Sequence, residues 1–168
     1  GFKKSIRHNN YVPDIALIDP GLMLNCPESI TAQSGMDAFT QLLESYLSTN
    51  ANPMTDALAV DGIRNIRDGL EGAVHNGKNI SFREKMAYAS MLSGITLANA
   101  GLGTVHGFAS SIGGFFDISH GLVCARMMGP VNDMTVEKLH VMDFDGIGLK
   151  KYARIGKLFS VDKNRSDG

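Results

Sequence analysis

The chain has no tryptophan, only two cysteines (Cys26 and Cys124) and five prolines in 168 residues. Two thiols cannot build a bridge framework, which excludes a small disulfide-stapled fold. Free thiols in a reducing, cytoplasmic setting are the expectation. An excess of charge of one sign is lacking too: 16 Lys+Arg face 17 Asp+Glu, a formal net of -1. That balance argues against a basic nucleic-acid stripe and against an acidic interaction tail. The start, G-F-K-K-S-I-R-H-N-N, has no apolar run, so no signal peptide is expected. Met86 to Val105 is the one uncharged run of membrane-spanning length, 20 residues. It is diluted by Ser90, Ser93, Gly94, Thr96 and Asn99 and broken by Gly101 and Gly103, so it predicts a buried helix rather than a span.

What is present predicts one domain with a real hydrophobic core. P-D-I-A-L-I-D-P, residues 13–20, reads as a short buried strand bounded by prolines. One strand cannot make a sheet, so its partners are expected in a part of the parent protein outside this chain. Everything after it reads as helix. The first helix runs from Pro27 or Ser34 to Ser48, with Phe39, Leu42, Leu43, Tyr46 and Leu47 on one side. Asn52-Pro53 is an N-cap followed by proline at the first helical position. It opens a helix with Ile63, Ile66, Leu70 and Val74 at helical spacing. Ser81-Phe82-Arg83-Glu84 reads as a capping box for the apolar helix that ends near Gly101. Further helices are expected from Gly103 or Thr104, from Ser119, and over Leu149 to Phe159 with a basic face. The pattern weakens after Pro130.

Chemistry concentrates around two histidines. From Met86 to Phe116 there is no Asp, Glu, Lys or Arg, yet His106 lies in this stretch and His120 just beyond it. They flank T-V-H-G-F-A-S-S-I-G-G-F-F-D-I-S-H-G. Imidazole is the commonest metal ligand and titrates near neutrality. Each histidine also has an ordinary reading: His106 as a satisfied core residue, His120 as a first-turn residue after Ser119. No H-E-x-x-H pair certifies a metal site. Asp37 and Gln41, four apart, share a helix face with Glu44 and Ser48. That face is either solvated or lines a cleft where a carboxylate meets a metal. An Asp, His, His set with an open position would suit a divalent ion acting as a Lewis acid. Gly113, Gly114 and Gly121 allow close backbone approach. There is no G-x-G-x-x-G after a strand and no phosphate loop. Ser110 and Ser111 show no base-and-orienter arrangement for a nucleophile.

The stretch I-A-L-I-D-P-G-L-M-L-N-C-P-E-S-I-T-A-Q-S-G-M-D-A-F-T-Q-L-L-E-S-Y-L-S closely resembles the start of the helical domain in iron-containing (group III) alcohol dehydrogenases. N-P-M-T-D-A-L-A and G-L-G-T-V-H-G-F-A-S-S-I-G-G-F-F-D-I-S-H-G resemble the family as well, so the likeness covers about residues 13–130. It implies an all-α, bundle-like metal-binding domain of the dehydroquinate-synthase-like C-terminal type over residues 27–168. Residues 1–26 would be the tail and last strand of a nucleotide-binding domain, and the helical domain would be C-terminally truncated. The family pattern makes Asp37, His106 and His120 ligands of a divalent metal, iron first and zinc second. Gln41 stands where the family has a further histidine ligand. Ser110 stands where it has a histidine near the nicotinamide. The implied reaction is hydride transfer between an alcohol or aldehyde and NAD or NADP, with the metal polarising the substrate oxygen. The implied partners are a small-molecule alcohol or aldehyde, without nucleic acid or membrane, and a homodimer is left open. The runners-up are a glycerol-dehydrogenase-like zinc enzyme and a non-catalytic helical module whose metal site has decayed.

Overall fold

Asn52 shows how local chemistry sets the helices. Its Oδ1 accepts the amides of Met54 and Thr55 at 3.0 and 3.1 Å, and Thr55 Oγ1 accepts the Asn52 amide at 2.9 Å. This reciprocal box, with Pro53 at the first helical position, fixes where the second helix begins. In the computed structural model, which describes residues 8–11, 13–142 and 146–160, six helices follow one another. They are α1 (Glu28–Leu47), α2 (Pro53–His75), α3 (Ile80–Ala100), α4 (Thr104–Phe115), α5 (His120–Met142) and α6 (Ile147–Phe159). The expected all-α class holds, and no strand occurs among the described residues. None of their helices is long and apolar enough to cross a membrane.

Two expectations are corrected and one weak stretch is resolved. Residues 13–20 form no strand: they run without regular structure into a short 3-10 turn, Pro20–Met23. Ile15 and Leu17 are 83% and 89% exposed, because extended backbone needs a neighbouring strand to bond to and none is offered. The third helix is capped by Asn79, whose Oδ1 accepts the Ser81 amide at 3.0 Å, not by Ser81. Finally, α5 continues through Pro130. Beyond it Val131 packs onto the α4–α5 core, and Asn132 Oδ1 accepts the Tyr152 hydroxyl at 2.7 Å, so tertiary contacts outweigh the lost backbone bond.

Two cores hold the helices. The larger joins α1, α2 and α3 through Leu42, Leu43, Tyr46, Val60, Ile63 and Ile66, with Ile155 of α6 at its edge. Arg83 is the largest fully buried side chain among the described residues. Its guanidinium donates to the carbonyls of Gly77 and Cys26 and to the Thr31 hydroxyl at 2.8–3.0 Å, joining α3 to the entry of α1 and the exit of α2. The smaller core packs Val105 and Ala109 of α4 against Val123 and Cys124 of α5. The sixth helix is clasped by Lys151, which donates to the Tyr46 carbonyl (2.6 Å) and Asp56 Oδ1 (2.8 Å) over the Tyr46 ring.

One close approach seats α5 on α1. A Cβ at Gly121 would stand 2.3 Å from the backbone oxygen of Gln33, so only glycine lets the two backbones meet there. Gly121→Ala must push the start of α5 away from α1. Chemical and thermal unfolding should show a loss of about 1–3 kcal/mol, the usual range for overpacking.

Candidate metal centre

The start of α4 is placed by α1. Ser45 and Ser48 donate to the carbonyls of Gly101 and Ala100 at 2.9 and 2.6 Å, tying down the end of α3. Gly101 then turns the chain at φ 80°, a left-handed angle open to glycine. Thr104 and Val105 arrive beside Glu44. The first amides of a helix lack internal partners. Here Glu44 Oε1 accepts the Val105 amide at 2.6 Å, while Glu44 Oε2 takes His106 Nδ1 at 2.7 Å. The carboxylate thus caps α4 and orients its histidine, and its negative charge suits a helix N-terminus.

With Nδ1 engaged, His106 turns Nε2 toward Asp37, at 3.1 Å from Oδ1. His120, on the first turn of α5, brings its own Nε2 to 3.6 Å from the same oxygen. The two imidazoles lie 5.3 Å apart, centre to centre. Cys124, one turn further along α5 and fully buried, places Sγ 3.9 Å from His106 Nε2. One donor atom from each of Asp37, His106, His120 and Cys124 lies within 4.8 Å of the others. A tetrahedral ion with ligand bonds of about 2.0–2.3 Å keeps its donors about 3.3–3.8 Å apart. The cluster therefore has the spacing and the N, O and S chemistry that a divalent transition ion takes.

Three of the four metal ligands expected from the sequence converge. Gln41, the fourth, accepts the Ser93 hydroxyl of α3 on its Oε1 at 2.9 Å. Ser110 lies on the exposed side of α4, one turn after His106. The face of α1 carrying Asp37 and Glu44 lines the site instead of being solvated; only 9% of the Glu44 side chain is exposed. Glu44 and Cys124 are the residues that sequence reasoning missed. Their signal was spacing: Glu44 is two turns from Asp37, and Cys124 is one turn from His120.

The profile of the Fe-containing alcohol dehydrogenase family, C-terminal part, matches residues 31–167. The chain belongs to the iron-containing alcohol dehydrogenase family. It is 46% identical over 117 residues to a 1,3-propanediol dehydrogenase of Citrobacter freundii, covering 70% of this chain and 30% of that protein. It is 39% identical over 156 residues to alcohol dehydrogenase 4 of Schizosaccharomyces pombe, covering 93% and 35%. The chain thus spans about a third of the length of these curated relatives. Among solved structures, an archaeal halo-thermophilic alcohol dehydrogenase from a Red Sea brine pool superposes with a TM-score of 0.84 at 28% identity, covering 93% of this chain and 38% of that one. An alcohol dehydrogenase from Oenococcus oeni gives 0.73 at 37% identity, covering 89% and 37%.

In this family member the cluster's charges support one another. Burial works against the His106 cation, but Asp37, Cys124 and Glu44 around it win and push its pKa up to about 11. Burial likewise works against the Asp37 and Glu44 carboxylates. His106 lowers both, helped by His120 at Asp37 and by the Gly103 and Val105 amides at Glu44. The stability consequences have opposite signs. His106 contributes fully below its ordinary 6.5 and loses its contribution as pH climbs toward about 11. Asp37 and Glu44 contribute above their ordinary 3.8 and 4.5 and lose their contribution on acidification. All three contributions coexist between about pH 4.5 and 6.5. In chelator-treated protein, the Tm gap between wild type and His106→Gln should be widest in that window and narrow on both sides. A gap indifferent to pH contradicts this account.

Proposed function

We propose that this chain is the metal-binding part of an NAD(P)-dependent alcohol dehydrogenase passing hydride between a small alcohol or aldehyde and a nicotinamide. The reading is carried by the convergence of Asp37, His106 and His120 from three different helices. Membership of the iron-containing alcohol dehydrogenase family supports the reaction class. The chemistry a divalent ion supplies in such a site is Lewis-acid polarisation of the substrate oxygen.

This chain's own residues do the holding. Asp37 and His120 offer half-buried donors on the open side, and His106 offers a buried one. Glu44 accepts the His106 Nδ1 proton, which leaves Nε2 as the nitrogen that bonds outward. A carboxylate behind a ligating histidine fixes its tautomer and raises its basicity. Ser110, exposed one turn beyond His106, is the residue of α4 available to a nicotinamide from outside the chain. We assign residues 27–168 to the metal-binding domain and residues 1–26 to the tail of a nucleotide-binding domain. Exposed Phe108, Phe115 and Phe116 on α4 and the turn after it give such a domain an apolar surface to meet.

Metal content decides first. Purified protein should carry stoichiometric metal by elemental analysis, and the His106→Ala plus His120→Ala double variant should carry none. No metal in either protein favours the second reading, a non-catalytic helical module. Gln41 held by Ser93 is the observation on that side. Glu44→Ala should weaken metal binding by roughly 10–100-fold, the usual loss for an outer-shell partner of a ligating histidine. The 168-residue chain alone should not turn over alcohol with NAD or NADP; dehydrogenase activity from it would contradict the domain assignment.

A further inference from the structure

We propose that Cys124 Sγ is itself a metal ligand, completing a donor set with Asp37, His106 and His120, and that Gln41 stays outside it. The inference rests on the metal-binding reading above and specifies its chemistry.

A buried cysteine is usually a small apolar filler. Cys124 does pack with Val105, Ala109 and Val123. Its sulfur, however, faces the site. Four residues after His120, it lies on the same side of α5, one turn further in. Sγ is 3.9 Å from His106 Nε2 and within 4.8 Å of the donors of Asp37 and His120. A metal bonded to sulfur at about 2.3 Å and to nitrogen at about 2.0 Å holds those atoms about 3.5 Å apart across a tetrahedron. Closing that difference takes a few tenths of an ångström, within the reach of a single χ1 adjustment.

Gln41 is the competing fourth ligand. Its amide oxygen already accepts the Ser93 hydroxyl at 2.9 Å, and a neutral amide is a weaker partner for a transition ion than a thiolate. As the sulfur–metal bond forms, the thiol proton leaves to solvent. One sulfur, two nitrogens and one oxygen make a borderline-soft set, which favours zinc or cobalt over hard oxygen-seeking ions.

Titration of metal-stripped protein with Co2+ tests this directly. Wild type should bind one equivalent and develop the thiolate-to-cobalt charge-transfer band in the near ultraviolet. The band should survive Cys26→Ser and Gln41→Ala. Cys124→Ser should lose it and bind Co2+ at least roughly 10-fold more weakly, since even outer-shell partners cost that much. Should Cys124→Ser fail to fold, wild type and Cys26→Ser decide alone, because the chain has only these two thiols. Stoichiometric Co2+ binding that depends on His106 but gives no sulfur band overturns the proposal and leaves the metal reading standing. A band that vanishes in Cys26→Ser overturns it as well. No Co2+ binding by wild type overturns both.

Discussion

A single carboxylate, Glu44, sets the geometry on which the site depends. One oxygen satisfies the Val105 amide at the start of α4, and the other holds the His106 ring. The helix and its histidine are therefore located by the same group. An unsatisfied helix start costs free energy, and so does a loosely held imidazole, so both needs bind α4 to α1. The serines one and four positions beyond Glu44, Ser45 and Ser48, fix the preceding turn through the last carbonyls of α3. Asp37, Glu44 and Ser45 of α1 and Ser48 at its C-cap thus organise an approach that α4 and α5 complete.

The second constraint is steric. The backbone of α5 meets that of α1 at Gly121, beside His120, at a distance that excludes a side chain. Hydrogen bonding places α4 and close packing places α5, and the site lies where the two helices meet α1. Its charges attract one another strongly enough to overcome burial and keep the His106 cation and the Asp37 and Glu44 carboxylates ionised. A proton and a metal would compete for the same Nε2 lone pair of His106. The cluster's electrostatics thereby set how metal uptake varies with pH.

Much of this was legible in the chain. Asn52-Pro53 announced α2, Gly101 announced the end of α3, and the two histidines marked the site. Other features turned on contacts that local sequence does not encode. The I-A-L-I run has a strand's composition but needs partner strands, which the fold does not offer it. Ser81 and Glu84 have capping-box spacing, but Asn79 stands closer to the real start and takes the cap. Pro130 breaks the local helical signal, yet packing of Val131 and Asn132 carries α5 onward. Glu44 looked like one more acid on a polar face. Its role depends on the α3–α4 turn returning to α1, some sixty residues later. Cys124 was set aside with the free thiols, although its one-turn spacing from His120 already put it on the side of α5 that faces His106.

The Lys151 clasp gives α6 a character unlike the other helices. Only Ile155 of it is buried; Leu158 and Phe159 pack at the edge of the core, Tyr152 bonds Asn132, and an ammonium shared between the Tyr46 carbonyl and Asp56, over the Tyr46 ring, holds its start. Such contacts weaken in concentrated electrolyte, whereas the apolar core joining α1, α2 and α3 does not. Salt should therefore loosen the Lys151 clasp first while Ile155, Leu158 and Phe159 still hold the helix by apolar contact, so the seating of α6 is the part of the bundle most responsive to ionic strength.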